Sequence, residues 1–367
     1  MKKNVCIKIF LLVIVCTICI TGCTNNSKKN EENNMQEEEI INKNTIEYTG
    51  WLKTEGAKLE NEKGEPIQLR GLSSHGIQWF PEVLTYENLE YLKTEWNINV
   101  FRIAMYTDPN ANGYIMQSEA MTTKVEELVE YAQKLDMYVI VDWHILNDNN
   151  PQMYQEQAKL FFDEISKKYY DVPNVIYEIC NEPNGTDVTW ENNVKPYSEE
   201  IIKIIRLNSP KSLVIVGTPD WCKDLKNVAD NPLNYKNVIY SCHFYAGSHG
   251  ENLRSKIDYC IEKNIPVFVS ECGITDASGN GAIYESEFRQ WIQYLNEKNI
   301  SWVFWSFCNK NESSSILTPD YTVNIQENNE TQQDNTEIEE KTQVKKNPEE
   351  FLTETGKIIK SLMWILI

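Results

Sequence analysis

The chain has 367 residues, of which 41% are hydrophobic and 24% charged, and its formal net charge at pH 7 is −19. This length suits one large domain or two ordinary ones. The acidic balance argues against nucleic acid or an anionic membrane surface as an electrostatic partner. Because 10 Trp, 19 Tyr and 11 Phe can supply a packed interior, the composition also excludes disorder for most of the chain.

The N-terminal segment has the pattern of a secretory signal. Lys2, Lys3 and Lys8 precede an apolar run over residues 9–20, which is short for a membrane-spanning helix. The run ends in ITGC, which resembles a bacterial lipobox, so we expect lipidation at Cys23. On this interpretation, a lipid anchors the protein to the outer face of the cytoplasmic membrane. The alternative is an ordinary secretory signal.

Polar stretches divide the rest of the chain. After a signal at 1–22, residues 23–47 are rich in Asn, Glu and Lys and predict a flexible tether. Residues 48–367 form one predicted domain, interrupted at 321–347 by a polar run that predicts a disordered insertion. Residues 348–367 are amphipathic and too short at their apolar end for a membrane span, so they predict a closing helix packed on the core.

Ten cysteines are present, yet they do not predict a disulfide framework. Four lie in the signal segment. The other six show no CxxC pairing, and several lie in apolar strand-like runs: Cys180, Cys222, Cys242, Cys260, Cys272 and Cys308. Buried free thiols are the expected state, and neither zinc nor another metal is expected.

The middle of the chain alternates between predicted strands and helices. The clearest helical stripe has apolar residues at spacings of three and four, Val125, Leu128, Val129, Ala132 and Leu135. The β-rich runs are 67–73, 98–106, 137–143, 174–180, 212–217, 237–245, 266–271 and 301–307. Apolar strands separated by helices imply a parallel sheet covered on its outside. Eight repeats favour a closed (β/α)₈ TIM barrel over an open sheet, and the absence of GxGxxG argues against a dinucleotide site.

Barrel enzymes carry their chemistry at the carboxyl ends of the strands, and the polar residues of this chain fall there. Three of the four histidines lie on this rim. The residues at the predicted strand ends are Ser74, His75, Arg102, Tyr106, Asp142, Trp143, His144, Asn181, Glu182, His243, Tyr245, Ser270, Glu271 and Trp305.

Two glutamates on the rim suit glycoside cleavage, which needs a pair of carboxyl groups flanking the bond. Glu182 and Glu271 close strands four and seven, which face each other across the barrel. Exposed or salt-bridged loop residues are the alternative interpretation. Arg102 is predicted to pair with Glu271 and keep it ionised as a nucleophile. Glu178 competes as a partner of Arg102, and its deeper position assigns it to the barrel interior.

The remaining rim residues allow two interpretations. His243 and Tyr245 alternate by two and point the same way, so both can hydrogen-bond carboxylates and sugar hydroxyls. A metal centre at His75, His144 and His243 is the rival, but no HxH or HExxH spacing supports it. Three tryptophans in rim loops or at strand ends can stack on sugar rings, with core packing as the alternative: Trp79, Trp221 and Trp305.

Seven runs and a C-terminal segment resemble glycoside hydrolase family 5 cellulases of the bacterial endoglucanase subfamily. The resemblance spans residues 48 to 360. The runs are QLRGLSSHGIQWF (68–80), NVFRIAMY (99–106), VIVDWHIL (139–146), VIYEICNEPNG (175–185), SCHFYAG (241–247), VFVSECG (267–273) and WVFWSFCNK (302–310), with LTETGKIIK (352–360) similar to the closing helix of the family.

The resemblance implies roles for the rim residues. Glu182 would be the acid/base and Glu271 the nucleophile, with Asn181 contacting the sugar 2-hydroxyl. The residues implied around the cleaved sugar are Arg102, His144, Asn181, His243, Tyr245 and Trp305. The residues implied at more distant subsites are His75, Trp79, Tyr106, Trp221, Lys310 and Glu312.

The sequence therefore predicts a lipid-anchored, extracellular, retaining endo-β-1,4-glucanase. It would act as a monomer on β-1,4-glucan without a cofactor. A β-mannanase, a xyloglucanase or a mixed-linkage glucanase on the same frame is the alternative within the class. A surface glycan-binding protein on an inactive barrel and a metal-dependent barrel hydrolase are the alternatives from other classes. No separate carbohydrate-binding module is expected, because the regions outside the barrel are short and polar.

Overall fold

The computed structural model of the protein describes residues 45–322 and 347–364. The chain divides between Thr49 and Gly50. Of the first unit only residues 45–49 are described, and they hold a short helix, α1, at Ile46–Thr49. The predicted signal, the predicted lipidation at Cys23 and nearly all of the predicted tether and insertion lie outside the described residues.

Eight parallel strands close into a barrel, which confirms the predicted (β/α)₈ fold. A small antiparallel hairpin of β1 and β2 precedes the barrel, and the barrel closes where β10 pairs with β3. The strands are β1 Lys53–Glu55, β2 Lys58–Glu60, β3 Arg70–Ser74, β4 Val100–Tyr106, β5 Tyr138–His144, β6 Val175–Glu178, β7 Val214–Val216, β8 Val238–Tyr245, β9 Val267–Gly273 and β10 Trp302–Phe307.

Helices and short helical turns connect the strands. The helices are α2 Tyr86–Glu95, α3 Tyr114–Lys134, α4 Gln155–Lys168, α5 Lys195–Asn208, α6 Pro219–Cys222, α7 Leu225–Asp230, α8 Glu251–Glu262, α9 Glu285–Glu297 and α10 Glu354–Met363. A π-helical turn precedes α5 at Trp190–Val194. The 3₁₀ turns each begin with proline, whose fixed φ suits the first helical position, and they are Pro81–Val83, Pro109–Ala111, Pro151–Tyr154 and Pro348–Phe351.

Alternation along the strands separates the core from the site. In β4, Phe101, Ile103 and Met105 pack in the large apolar cluster that includes the helices. The intervening Ala104 and Tyr106 belong instead to a second cluster with Trp305. Because successive side chains of a strand point to opposite faces, one strand can serve both layers. The same alternation in β5 puts its polar residues beside those of β4, since Ala104 pairs with Asp142 and Tyr106 with His144.

The structure corrects several sequence-based boundaries. Each barrel strand is present, but most begin or end one to three residues inside the predicted run. The hairpin of β1 and β2 was not predicted, because each of its strands has only three residues. Tyr321 was assigned to the polar insertion, yet it is 2% exposed and its hydroxyl donates to Asn88 Oδ1 at 2.7 Å. The aromatic ring thus extends the packed core to the start of the predicted insertion.

The predicted closing helix is present as α10. Thr353 caps its N-terminus by accepting a hydrogen bond from Gly356 N at 2.9 Å. Ile359, Leu362 and Met363 are buried on its inner face. Within the described ranges, no helix combines the length and apolar character needed to cross a membrane.

The predicted state of the six barrel cysteines is confirmed. All six are buried and none forms a disulfide. Their thiols lie in the packed layers of the barrel, where burial raises the pKa of Cys180, Cys242 and Cys272 among others.

Candidate active site

A cleft of about 550 Å³ opens at the carboxyl ends of the barrel strands. Its volume lies in the usual range for a small-molecule site. Most of the residues that the sequence assigned to chemistry or binding line it: His75, Trp79, Tyr106, His144, Glu182, Trp221, His243, Tyr245, Glu271, Trp305, Lys310 and Glu312. Arg102 and Asn181 do not line the cleft, and they are buried among the residues that do.

The two predicted carboxyl groups lie close together in this cleft. One carboxyl oxygen of Glu182 and one of Glu271 are within 4.8 Å of each other. Glu271 is part of β9, whereas β6 ends at Glu178 and Glu182 follows it in the loop. The sequence placed Glu182 at a strand end. Beyond the strand, the backbone stays tied to its neighbours, with Asn181 N donating to Trp143 O at 3.1 Å and Glu182 N to Ile145 O at 3.4 Å.

A single buried guanidinium connects the carboxylates beneath the cleft. Arg102 Nη1 lies 3.2 Å from Glu271 Oε2, which is the predicted contact. The same side chain also contacts Glu178 through Nε at 2.7 Å and Asp142 through Nη2 at 3.0 Å. Burial opposes a charge here, but the three carboxylates raise the pKa of Arg102 above its ordinary value. Glu178 is therefore a partner of Arg102 as well as an interior residue.

Glu271 is held with one donor on each oxygen. Tyr245 Oη donates to Oε1 at 2.7 Å, and Arg102 Nη1 donates to Oε2 at 3.2 Å. The side chain is 4% exposed. Both partners fix the carboxylate plane, so Glu271 is oriented before any substrate arrives.

Glu182 has a different environment. Its Oε1 lies 2.8 Å from His243 Nδ1. Burial raises the pKa of Glu182 to about 7, against the opposing effects of Arg102 and Lys223. Burial also lowers the pKa of His243 to about 4. Near neutral pH the pair therefore consists of a carboxyl group that can keep its proton and a neutral imidazole.

His144 and Asn181 are both connected to Arg102, His144 through Asp142 and Asn181 by a direct hydrogen bond. His144 Nδ1 lies 2.6 Å from Asp142 Oδ2, and burial lowers the pKa of the imidazole well below its ordinary value. Asn181 Oδ1 accepts from Arg102 Nη2 at 2.6 Å, while its Nδ2 donates to Ile145 O at 3.0 Å. Those contacts fix the amide orientation of Asn181 beside the acid/base candidate.

Aromatic rings line one side of the cleft. Tyr106 packs 4.1 Å from His144 and 4.6 Å from Trp79, measured between ring centroids. Trp305 lies 4.9 Å from His75 and 5.3 Å from His144. Trp79 is 40% exposed, whereas Trp305 is 6% exposed. Only part of this aromatic wall is thus free to meet a ligand in the open cleft.

Trp221 also lines the cleft, and it lies on an unusual turn. It is 43% exposed, and Lys223 Nζ lies 5.2 Å from its ring centroid. Asp220, Trp221 and Cys222 have φ values of 58°, 53° and 60°, so α6 is a left-handed turn. L-residues adopt three such conformations in a row only where the surroundings enforce them. Here Trp221 N donates to Pro183 O at 3.2 Å, which ties the turn to the loop of Glu182.

Lys310 and Glu312 lie together with His75. Lys310 Nζ is 2.6 Å from Glu312 Oε2, and His75 Nε2 is 3.8 Å from Glu312 Oε1. Burial, with Lys310 adding to it, lowers the pKa of His75 to about 3. A cation, an anion and a neutral imidazole therefore meet at this side of the cleft, where they can hydrogen-bond a polar ligand.

Several polar residues of the site were not predicted as functional. Asp142 was noted only as a strand-end residue, although an acid at alternate spacing from His144 on a buried strand was a usable signal. Ser270 hydrogen-bonds both His243 and Glu178. The fourth histidine, His249, also lines the cleft, and its Nδ1 accepts from Tyr245 N at 2.9 Å. Ser270, like Asp142, was noted only as a strand-end residue, and no sequence pattern marked His249.

The described residues do not bring His75, His144 and His243 together as a ligand set. The group there that could offer metal ligands is Glu182, His243 and Glu271. The nitrogen of His243 that faces this group is already hydrogen-bonded to Glu182. Each of these three side chains thus already has a hydrogen-bond partner within the site.

A closed parallel barrel with two facing carboxyl groups in an aromatic-lined cleft has the architecture of a (β/α)₈ glycoside hydrolase. A model of the family described as cellulase (glycosyl hydrolase family 5) matches residues 60–311. The chain belongs to that family.

Relatives and solved structures are consistent with this membership. An endoglucanase of Clostridium saccharobutylicum is 48% identical over 273 residues, covering 74% of this chain and 60% of the relative. Endoglucanase A of Evansella cellulosilytica is 49% identical over 256 residues, covering 70% of this chain and 52% of the relative. This chain thus spans between half and two thirds of the length of these two relatives.

Among solved structures, the catalytic domain of Thermobifida fusca endoglucanase Cel5A superposes with a TM-score of 0.75. It is 32% identical, and the match covers 87% of this chain and 98% of that domain. A variant of that domain has been solved in complex with cellotetraose.

We expect Arg102→Met to lose stability in a pH-dependent way. Burial already raises the pKa of Asp142 and Glu178 in the wild type, and Arg102 opposes that rise. Without the guanidinium, the folded-state pKa values of these two carboxyl groups move further above unfolded values near about 4. The folded variant then binds more protons than the unfolded chain above that pH, and its stability falls as pH rises. Urea denaturation should show a loss of about 3–5 kcal/mol at pH 8 and a smaller loss at pH 5.

Arg102→Lys, which keeps a cation, is the matched control and should show a weaker pH dependence. Equal losses at both pH values in Arg102→Met would contradict the electrostatic role.

Proposed function

We propose that the protein is a retaining endo-β-1,4-glucanase that hydrolyses internal bonds of a β-1,4-glucan. The observation that carries the proposal is the approach of Glu182 and Glu271, whose carboxyl oxygens lie within 4.8 Å. Retaining glycosidases hold their carboxyl groups about 5–5.5 Å apart, whereas inverting ones leave about 6.5–9.5 Å for a water molecule. The spacing leaves no room for that water, so it favours double displacement.

In the first step, Glu271 attacks the anomeric carbon as the bond to the leaving oxygen breaks. Glu182 transfers its proton to that oxygen, and a covalent glycosyl ester forms on Glu271. Tyr245 and Arg102 orient the attacking carboxylate through the contacts described above. The buried carboxyl of Glu182 supplies the proton, as its raised pKa allows.

In the second step, Glu182 acts as a base. It takes a proton from water, whose oxygen attacks the anomeric carbon and releases Glu271 as a carboxylate. The negative charge of Glu271 is absent while it is esterified, so the pKa of Glu182 falls between the two steps. Two inversions at one carbon give net retention, and no cofactor takes part.

Both the relatives and the cleft support a β-1,4-glucan as the substrate. The endoglucanase names of the relatives and the cellotetraose complex of the Thermobifida fusca domain both indicate a β-1,4-glucan. Exposed rings of Trp79 and Trp221 offer flat apolar faces, which suit pyranose rings. Mannan, xyloglucan and mixed-linkage glucan remain alternatives on the same catalytic frame.

We expect Glu271→Ala to abolish turnover while leaving the fold intact. The measurement is reducing-sugar release from carboxymethylcellulose, mixed-linkage β-glucan, xyloglucan and mannan. The wild type should be active, with the highest rates on the first two polymers, and the variant should release no sugar from any of them. The exposed Glu287 on α9 gives a matched control, Glu287→Ala, with unchanged activity.

Substantial activity of Glu271→Ala would contradict the assignment of the nucleophile. A wild type with no activity on any of the four polymers would favour the glycan-binding alternative. Inhibition of the wild type by a chelator would favour the alternative of a metal-dependent barrel hydrolase.

The pH profile should report Glu182. Because the acid works only when protonated, kcat/KM should fall as pH rises through about 7, the pKa of Glu182. Each further pH unit should lower kcat/KM about tenfold. Glu182→Gln, measured with a dinitrophenyl glycoside that needs no acid, should lack this limb. If the limb persists in that variant, another group such as Asp142 controls it.

We also propose that the N-terminal segment directs the enzyme to the cell surface as a lipoprotein. Support comes from the basic start, the short apolar run and the ITGC sequence, all outside the described residues. Metabolic labelling of the full chain with an alkyne fatty acid in a bacterial host should label the wild type and not Cys23→Ala. Equal labelling of both, or of neither, would contradict lipidation at Cys23.

A further inference from the structure

A chain of buried hydrogen bonds lies behind the acid/base candidate. His243 contacts Glu182 through Nδ1 at 2.8 Å and Ser270 Oγ through Nε2 at 3.1 Å. Ser270 Oγ in turn donates to Glu178 Oε1 at 2.6 Å. Ser270 and Glu178 are fully buried, and neither lines the cleft. These residues therefore act on a substrate indirectly, Ser270 through His243 and Glu178 also through Arg102.

The direction of this chain is set at its inner end. Arg102 Nε donates to Glu178 Oε2 at 2.7 Å, the shortest of the three contacts that the guanidinium makes with carboxylates. Burial raises the pKa of Glu178, and Arg102 opposes that rise. A carboxylate that accepts a charge-assisted bond on one oxygen accepts on the other as well. The hydroxyl proton of Ser270 is thus directed toward Glu178.

The remaining bonds of Ser270 follow from counting its hydrogens. A serine hydroxyl has one hydrogen and two acceptor lone pairs. Its hydrogen is used on Glu178, so Ser270 accepts from its other two partners, Ser241 Oγ at 2.5 Å and His243 Nε2 at 3.1 Å. The imidazole therefore carries its proton on Nε2. In a neutral ring the other nitrogen, Nδ1, then presents a lone pair to Glu182.

We propose that Ser270 and Glu178 are positioning residues that hold His243 in the Nε2–H tautomer, so that Nδ1 accepts a hydrogen bond from the protonated carboxyl of Glu182. This inference rests on the proposed role of Glu182 as acid/base. In the resting state the acceptor at Nδ1 stabilises the proton on Glu182. After that proton has left, Nδ1 offers the carboxylate no donor, which strengthens Glu182 as the base of the second step.

The charged and titratable groups around the imidazole are consistent with this assignment. Glu178 and Glu271 supply negative charge, with Glu178 Oε1 4.0 Å from Nε2, and Glu182 faces Nδ1 as a protonated carboxyl group. Arg102 and the neighbouring His144 oppose a positive charge on the ring. Burial outweighs the carboxylates, so the ring is neutral near pH 7 and its tautomer, rather than its charge, is what Ser270 controls.

The tautomer can be measured directly without substrate. Nitrogen-15 NMR of the histidine side chains in the full chain distinguishes a protonated from an unprotonated ring nitrogen, and His243→Asn assigns the signals by their loss. We expect Nε2 of His243 to be protonated and Nδ1 to be bare at pH 6.5. A protonated Nδ1 with a bare Nε2 would overturn the proposal.

A matched pair of serine variants tests the catalytic consequence. Ser270→Ala removes the acceptor of Nε2–H, whereas Ser241→Ala deletes a neighbouring buried hydroxyl that contacts Ser270 but not His243. We expect Ser270→Ala to lower kcat/KM on cellotetraose about tenfold, a part of the roughly 10²–10⁴-fold that general acid catalysis typically contributes. On dinitrophenyl β-cellobioside, whose leaving group needs no proton, the loss should stay below about twofold.

Ser241→Ala should change both values by less than about twofold. Equal losses on the two substrates, or equal effects of the two variants, would overturn the positioning role. If Ser270→Ala fails to fold, the tautomer of the wild type still decides the question. A wild type that cleaves neither substrate would refute the proposed function, and the NMR result would be unaffected.

Discussion

The active site depends on the burial of one guanidinium among several carboxylates. Arg102 is fully buried and contacts Asp142, Glu178 and Glu271. A buried charge without a partner would cost several kcal/mol, and so would each of the carboxylates left alone. The barrel provides the geometry for this cluster, because alternate residues of neighbouring parallel strands converge on its axis. Removing the cation would therefore disturb the whole set rather than one contact.

The two carboxyl groups that we propose as catalytic differ in their contacts with that cation. Glu271 contacts the guanidinium and the Tyr245 hydroxyl, and it accepts on both oxygens. Glu182 hydrogen-bonds His243 instead, and burial raises its pKa to about 7 although the charge of Arg102 opposes the rise. Two glutamates thus have different surroundings, which suit the proposed nucleophile and the proposed acid respectively. In the proposed function, the aromatic and polar walls of the cleft would hold the sugar over this pair.

Much of the fold was predictable because the barrel repeats a simple pattern. Apolar runs at regular intervals gave the eight strands, and the stripe from Val125 to Leu135 gave the core face of α3. Rim position predicted Glu182 and Glu271, since the carboxyl ends of parallel strands share one edge. The short hairpin of β1 and β2 was missed, because three-residue strands carry no periodicity.

Contacts between residues far apart in the chain could not be predicted from the sequence. Glu178 and Ser270 are 92 residues apart, and their hydrogen bond depends on the closure and register of the barrel. Asp142 lies in a visible rim motif, but its bond to Arg102 requires the pairing of β4 with β5. The left-handed turn that carries Trp221 likewise follows from surrounding packing rather than from any glycine in its own sequence.

The most direct test of the account is to trap the covalent intermediate on the nucleophile. A dinitrophenyl 2-deoxy-2-fluoro-β-cellobioside has a good leaving group but slows the release step, so a glycosyl-enzyme should accumulate. Mass spectrometry of the intact protein and its peptides should then find one cellobiosyl group per chain, on Glu271. A label on Glu182 or Glu178, or an active enzyme that acquires no label, would contradict double displacement through Glu271.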